Sequence, residues 1–492
     1  MEVTKLMNEP RTIESMHAPI IAALQTKRYL EAEMMACEAV QAAPLVAQSW
    51  VLLGEALLQQ GIGITAAQIF ERAWLLDPEA VWIGAVQKAL QAIKKPTKSD
   101  IVAKLLEVPS VTITAAVLVK NEERLIEKCL SHLADAVDEI VVIDTGSTDR
   151  TIEIAQSMPK VRLIHYAWSD DFAAARNAGL AAITTDWVLW VDGDELLFKE
   201  DIPYVRQIAG LFHSSPVAPI LHIWQNNIVN GKVTPDVSQS RMFAMNRGLI
   251  YSGKVHEQVI SAEFGMYEAD HRNAKVRIRV NHDGYEPTIM QQKNKLQRNI
   301  TLLKQMVVDE PDNPGWWYFY GRETFGGGDT VKALEILLRT EQLAEQQPRF
   351  GRMVEVYMLM VKIYMPLNQL DEAEAACHKA LAIFNDYPDA SFFLAQINVR
   401  RAIQQAKEAE KNIKKAKQDF TTYRSSVSAD HQISQWKADM LLADVARLAG
   451  KLPEAQQIYK QIQARFPEMK ELEVRLNQLE QTGDQLKHGS KL

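Results

Sequence analysis

Long apolar runs are missing from this 492-residue chain. The longest, such as AAVLV at 115–119, are strand-sized and fall far short of the ~18 residues that span a membrane. The opening MEVTKLMNEP lacks the basic-then-apolar layout of a signal peptide, so a cytoplasmic protein is expected. Cysteine is scarce. Cys37, Cys129 and Cys377 are far apart, form no CxxC pair and fall at apolar positions of helical patterns, which predicts buried reduced thiols. A basic excess is also absent: the formal net charge is −7, which argues against a nucleic-acid partner. The one dense basic run, KNIKKAK at 411–417, reads as a solvated helix face.

What remains is an ordinary globular composition, 47% hydrophobic and 24% charged, on a chain long enough for two or three domains. The first 105 residues read as helical. Trp50, Leu53, Gly54, Leu57, Ala66, Phe70, Ala73 and Pro78 follow the tetratricopeptide pattern position by position, and Ala39 and Pro44 repeat its end one unit earlier. The same logic returns over 301–482, where Ala333, Ala373 and Ala455 each mark a second helix. The stretch from Ala390 to Phe420 reads as a longer helical pair. Stacked repeats of this kind present a concave face, usually to a polypeptide, or merely buttress a neighbour.

Between these arms, over 110–300, the period changes. VTITAAVLV, EIVVID, VRLIHYAW and WVLWVD read as strands separated by helical stretches, which implies a parallel sheet with right-handed crossovers. Ligands bind at the carboxyl ends of such strands. Polar clusters stand there: KNEE after the first strand, with Asn121 as a helix N-cap, DTGSTD after the second and DGDE after the fourth. DTGSTDRT has neither the GxxxxGK of a phosphate loop nor a GxGxxG fingerprint; Asp144 can accept hydrogen bonds from a base or ribose, or simply shape a turn.

WVLWVDGDE poses a sharper question. It ends an apolar strand on Asp192, Asp194 and Glu195, and like charges this close are unfavourable unless something positive sits between them. Residues two apart share a strand face, so Asp192 and Asp194 can point at one ion, with Gly193 permitting close approach. Oxygen ligands of this kind suit Mg²⁺ or Mn²⁺ bridging to phosphate oxygens. Arg176, among alanines on a core-facing helix, needs an anionic partner: a ligand, or Asp170 or Asp171.

VKNEE, DEIVVIDTGSTDRT, DDFAAARN, WVLWVDGDE, YSGKVHE and NHDGY, taken in order, resemble family 2 glycosyltransferases of the α/β GT-A fold. More closely they resemble soluble bacterial members with tetratricopeptide repeats, such as the sublancin-type peptide S-glycosyltransferases. VDGDE departs from the commoner acidic motif, which has Ala in the middle. The resemblance implies that Asn121, Glu122, Asp144, Arg176 and Asp192 bind the nucleotide-sugar donor. It implies a metal held by Asp192, Asp194 and His282, with His256 in reserve. Glu257, in the strand-like YSGKVHEQV, is the candidate base that takes the acceptor's proton, with a role in positioning the acceptor as the competing reading.

The expected reaction is metal-dependent, inverting transfer of a hexosyl group from a nucleotide sugar, uridine diphosphate-linked by preference, to a peptide or protein. The alternatives are a polysaccharide or lipid-linked-sugar transferase, a sugar nucleotidyltransferase, and a non-catalytic repeat scaffold. The sequence leaves a homodimer open.

Overall fold

The computed structural model describes residues 13–229, 232–268, 271–282 and 289–489. The MEVTKLMNEP start, the Asn230–Gly231 turn signal and the last residues of NHDGY lie outside these. The chain divides into two compact units, Met1–Phe350 and Gly351–Leu492.

Unit one opens with helices Ile13–Gln25, Tyr29–Ala42, Ala47–Gln59 and Gly63–Leu76. The repeat residues read from the sequence are its core: Trp50, Leu53, Leu57, Ala66, Phe70 and Ala73 are all buried. Gly54 is required by close approach, since a Cβ there would stand 2.9 Å from the Phe70 ring. The last of the four helices is tied to the sheet through Arg277. That guanidinium lies 3.8 Å over Trp74 and pairs with Glu71.

Among the described residues ten strands follow: β1 (Ile113–Val119), β2 (Glu139–Asp144), β3 (Val161–His165), β4 (Trp187–Asp192), β5 (Glu195–Leu197), β6 (Ala218–Val229), β7 (Lys232–Ala244), β8 (Leu249–Ser252), β9 (Gln258–Ser261) and β10 (His271–His282). Eight form one sheet in the order β3-β2-β1-β4-β7-β6-β10-β5, and β8 pairs with β9. The four strands expected from the sequence are parallel, with Val117 of β1 opposite Val142 and Val191. Beyond β4 the sheet is mixed, because β7 runs antiparallel to β4 and to β6, and β5 antiparallel to β10.

The connection from β4 to β5 has a geometric consequence. Only Gly193 and Asp194 separate these strands in sequence, yet four steps separate them in the sheet. In a flat sheet four steps are about 19 Å, whereas three residues reach only about 11 Å. The sheet therefore curls, bringing its β5 edge back to the carboxyl end of β4. The expectation that Asp192 and Asp194 share a strand face is corrected here: Asp192 ends β4, while Asp194 sits in the turn.

Helices Ile289–Asp309, Pro314–Gly326 and Thr330–Ala344 complete unit one. Gly321 lets the second meet the third, where a Cβ would stand 2.9 Å from Leu337, and Ala333 is fully buried. In unit two, Ala373 and Ala455 are buried at the starts of helices Leu370–Ile383 and Leu452–Arg465, as the repeat spacing predicts. The stretch expected to be a helical pair is instead one helix, Pro388–Thr422. Beyond its first-turn proline this segment has no Pro or Gly to interrupt it. Its basic run is a solvated face carrying ion pairs of Lys414 with Glu410 and of Lys417 with Asp439.

Cys129 and Cys377 are buried as expected, while Cys37 is only half-buried, and all three are free thiols. Among the described residues no helix is long and apolar enough to cross a membrane.

Candidate active site

Two loops at the carboxyl ends of β1 and β2 are zipped together by hydrogen bonds. Asn121 takes a left-handed backbone (φ 59°). It does not cap the next helix, which begins only at Ile126 after a turn. Its Oδ1 instead accepts from the Thr148 amide (2.7 Å), and its own amide donates to Ser147 Oγ (2.9 Å). Asp144 is buried at the end of β2 and accepts from the amides of Gly146 (3.1 Å) and Ser147 (3.0 Å). Gly146, at φ 101°, makes that turn possible.

Glu122 lies against the acidic turn: a Cβ on Gly193 would stand 3.2 Å from its Cγ. Burial pushes the Glu122 carboxyl up to about 7, and the nearby charge of Asp194 adds to this.

The positive partner of the acidic cluster is double. Arg241, on β7, donates from Nη1 to Asp192 Oδ1 (2.9 Å) and from Nη2 to Asp192 Oδ2 (2.6 Å). The same Nη2 reaches Glu195 Oε1 at 3.2 Å. Arg176 adds a contact from Nη2 to Asp192 Oδ1 at 3.3 Å. Burial alone would raise the Asp192 carboxyl, but the two guanidiniums outweigh it and hold the group well below the usual carboxylate range. Glu195 is the inward member of the trio. It accepts from the Asp192 amide (2.8 Å) and from Gln225 Nε2 (2.5 Å), and burial pushes it up to about 7.

Arg241 was not foreseen. Its signal was the one that singled out Arg176: an arginine opening a buried apolar run, here RMFA, needs an anion.

Arg176 is positioned by helix Phe172–Ala182, whose N-cap Asp171 accepts from the Ala174 amide at 2.8 Å. Asp170 accepts from Trp168 instead, so neither of these two aspartates is the partner of Arg176. The guanidinium lies 4.8 Å over Trp190 and 5.4 Å over Tyr251, and its Nε donates to Glu257 Oε1 at 2.7 Å. Arg176 thus bridges Asp192 and Glu257. Its Nη1, with Trp190 Nε1 and Tyr251 Oη, has no hydrogen-bond partner among the described residues.

Glu257 and His256 stand in the loop joining β8 to β9, not on a strand as the sequence suggested. His256 turns to the helices, with Nε2 2.9 Å from Glu323 Oε1. The reserve metal ligand is thereby engaged elsewhere.

His282, at the end of β10, faces the turn. Its Nε2 is 3.2 Å from Asp194 Oδ2, and its Nδ1 is 2.9 Å from Asn227 Oδ1. The Asp194 hydrogen bond raises the His282 pKa despite burial. That contact places a proton on Nε2; a divalent cation held by His282 and Asp194 would replace that proton, with Nδ1–H donating to Asn227 as the second-shell bond usual for metal-ligating histidines. Asp192, bound by Arg241 and Arg176, does not join them. Among the described residues no three His, Cys, Asp or Glu side chains form a metal cluster. The three expected ligands are therefore a pair plus a neighbour.

Residues 114–211 match the Glycosyl transferase family 2 profile. They run from β1 through DGDE and stop short of Arg241, Glu257 and His282. The SPbeta prophage-derived glycosyltransferase SunS of Bacillus subtilis is 32% identical over 217 residues, which is 43% of this chain and 49% of the relative. A TPR repeat-containing protein of Synechococcus elongatus is 30% identical over 204 residues, 41% of this chain and 49% of that one. The chain thus spans about half the length of the curated relatives it matches. Among solved structures, S. aureus TarS 1–349 in complex with UDP-GlcNAc aligns with a TM-score of 0.34 at 16% identity, over 56% of this chain and 93% of that one. Glucosyl-3-phosphoglycerate synthase from Mycobacterium tuberculosis, in complex with Mn²⁺, uridine diphosphate and phosphoglyceric acid, aligns with a TM-score of 0.21 at 23% identity, over 23% of this chain and 43% of that one.

Proposed function

We propose that this chain, which carries a family 2 glycosyl transferase domain, is a metal-dependent inverting glycosyltransferase. It moves a hexosyl group from a uridine diphosphate sugar to a peptide or protein. The observation that carries the reading is the bridge at Arg176, whose one guanidinium joins Asp192 in the strand-end cluster to Glu257 across the site.

In this reading the loops built on Asn121, Glu122 and Asp144 take the nucleotide, and Asp192 orients the ribose. Arg176 supplies positive charge towards the diphosphate from its place between Asp192 and Glu257. Glu257 takes the acceptor's proton as the acceptor attacks the anomeric carbon opposite the leaving diphosphate. Asp194 and His282 would hold the divalent cation, one carboxylate oxygen and one imidazole nitrogen being a donor set that suits Mn²⁺. The cation supplies Lewis-acid neutralisation of the leaving group. The polypeptide acceptor rests on the helical repeats, a kind of surface that usually takes a polypeptide.

The test is to incubate the full chain with several nucleotide sugars and a host lysate, and to identify which protein gains hexose mass. Donor affinity is measured with Mn²⁺ and with chelator. Equal affinity in both removes the metal. Absence of both donor hydrolysis and donor-induced thermal stabilisation leaves a scaffold.

A further inference from the structure

The loop that carries Glu257 is gripped from two sides. On the sheet side, the Asn177 amide clasps Tyr251 through both backbone groups, donating to its carbonyl (2.8 Å) and accepting from its N–H (2.9 Å). The Phe172 amide donates to the Lys254 carbonyl at 2.9 Å. On the helical side, Trp316 occupies the space left by Gly253, where a Cβ would stand 2.6 Å from the indole. Lys254 Nζ reaches Asp309 (3.1 Å) and Gln305 (3.3 Å).

His256 is the centre of the second grip. Its ring stacks on Phe319, centroids 4.8 Å apart at 20°, and its Nε2 meets Glu323. Arg322 Nη2 lies 3.1 Å from Nδ1. The same Nη2 lies 3.2 Å from Nε2, so the guanidinium borders both ring nitrogens, and a ring with its proton on Nε2 donates to Glu323. His256 also holds a left-handed backbone (φ 53°), uncommon for a bulky residue and maintained only where the surroundings over-determine it. The next side chain, Glu257, meets Arg176 instead of the helices, with Nε 2.7 Å from Oε1.

We infer that His256, Phe319 and Glu323 form a clamp that positions Glu257, so that helix Pro314–Gly326 is part of the active site although it reads as a repeat. His256 is a positioning residue; it touches no reacting atom. The inference rests on the glycosyltransferase reading only for its catalytic consequence.

Glu323→Ala and Phe319→Leu in the full chain test it. Hydrogen exchange of the amides of residues 253–258 should accelerate at least about tenfold while the strands β1 and β4 keep their protection. Turnover should fall on the order of 10–100-fold, as expected for a displaced reactive group, with donor affinity within about twofold. Glu323→Gln, whose amide oxygen can still accept from Nε2–H, should recover most of the loss. Unchanged exchange in both variants overturns the clamp whether or not any transfer is detected. Unchanged turnover in folded variants, or a fall while Glu257→Gln has no effect, overturns its link to Glu257. A wild-type chain without transferase activity but with accelerated loop exchange in the variants sinks the function and leaves the clamp standing.

Discussion

Arg241→Met isolates the charge balance beneath the acidic turn. The methionine keeps much of the aliphatic stem but leaves Asp192 without its bidentate partner and Glu195 without its 3.2 Å contact. Removing one member of a buried ion pair costs about 3–5 kcal/mol, because a charge is left buried and unpaired. Two features of the site reduce the figure. Glu195 sits near 7 already and can take a proton, and the Asp192 side chain is 35% exposed and keeps Arg176. About 2–3 kcal/mol is therefore expected, a fall in melting temperature on the order of 3–4 °C for a unit of this size.

The pH dependence follows from the sign of the Asp192 shift. Its folded pKa is depressed, so its stabilising contribution is complete above the unfolded value and lost as pH falls through the folded one. The gap between wild type and variant should be widest near neutrality and narrow below about pH 4. Differential scanning calorimetry at pH 7 and at about pH 3, inside the window where the Asp192 contribution falls away, with Asp192→Asn and the double variant, closes a cycle whose coupling should reach about 2 kcal/mol at neutral pH. A variant within about 1 °C of wild type at pH 7, or strictly additive single changes, would refute Arg241 as the partner of the cluster.

Glu257→Gln keeps the shape and one acceptor for Arg176, so donor affinity should hold while turnover on a hydroxyl acceptor falls roughly 10²–10⁴-fold; a thiol acceptor, partly thiolate at neutral pH, would soften the drop. Turnover within a few-fold of wild type ends its role as base. Deleting residues from 351 onward should spare donor hydrolysis and abolish transfer to a polypeptide, and surviving transfer makes unit two dispensable for the acceptor. Deletion from 311 should impair turnover as well, because Trp316, Phe319 and Glu323 go with it; equal hydrolysis by both truncations argues against helix Pro314–Gly326 as part of the site.

The sequence by itself determined what depends on neighbours along the chain. EIVVID and WVLWVD are strands with the bounds the apolar pattern predicts, since a run buried on both faces is β-branched, aromatic and short. Gly54 opposite Phe70 and Ala333, Ala373 and Ala455 at helix starts were legible because close helix packing requires small residues at fixed spacing. The strand-end location of the site followed from the alternation of strands and helices. Tertiary structure alone decided the partners. Arg241 lies 49 residues from Asp192, and Glu257 lies 81 from Arg176, separations at which no local period carries information. The two-residue link from β4 to β5 forces the sheet to curl, and that curl separates Asp192 from Asp194 and hands the latter to His282. His256 and Glu257 are adjacent in sequence, yet the first meets Glu323 on the helical side and the second Arg176, partners 67 and 81 residues away. The charges in DGDE announced that cations must be present; only the register of distant strands settles which ones arrive.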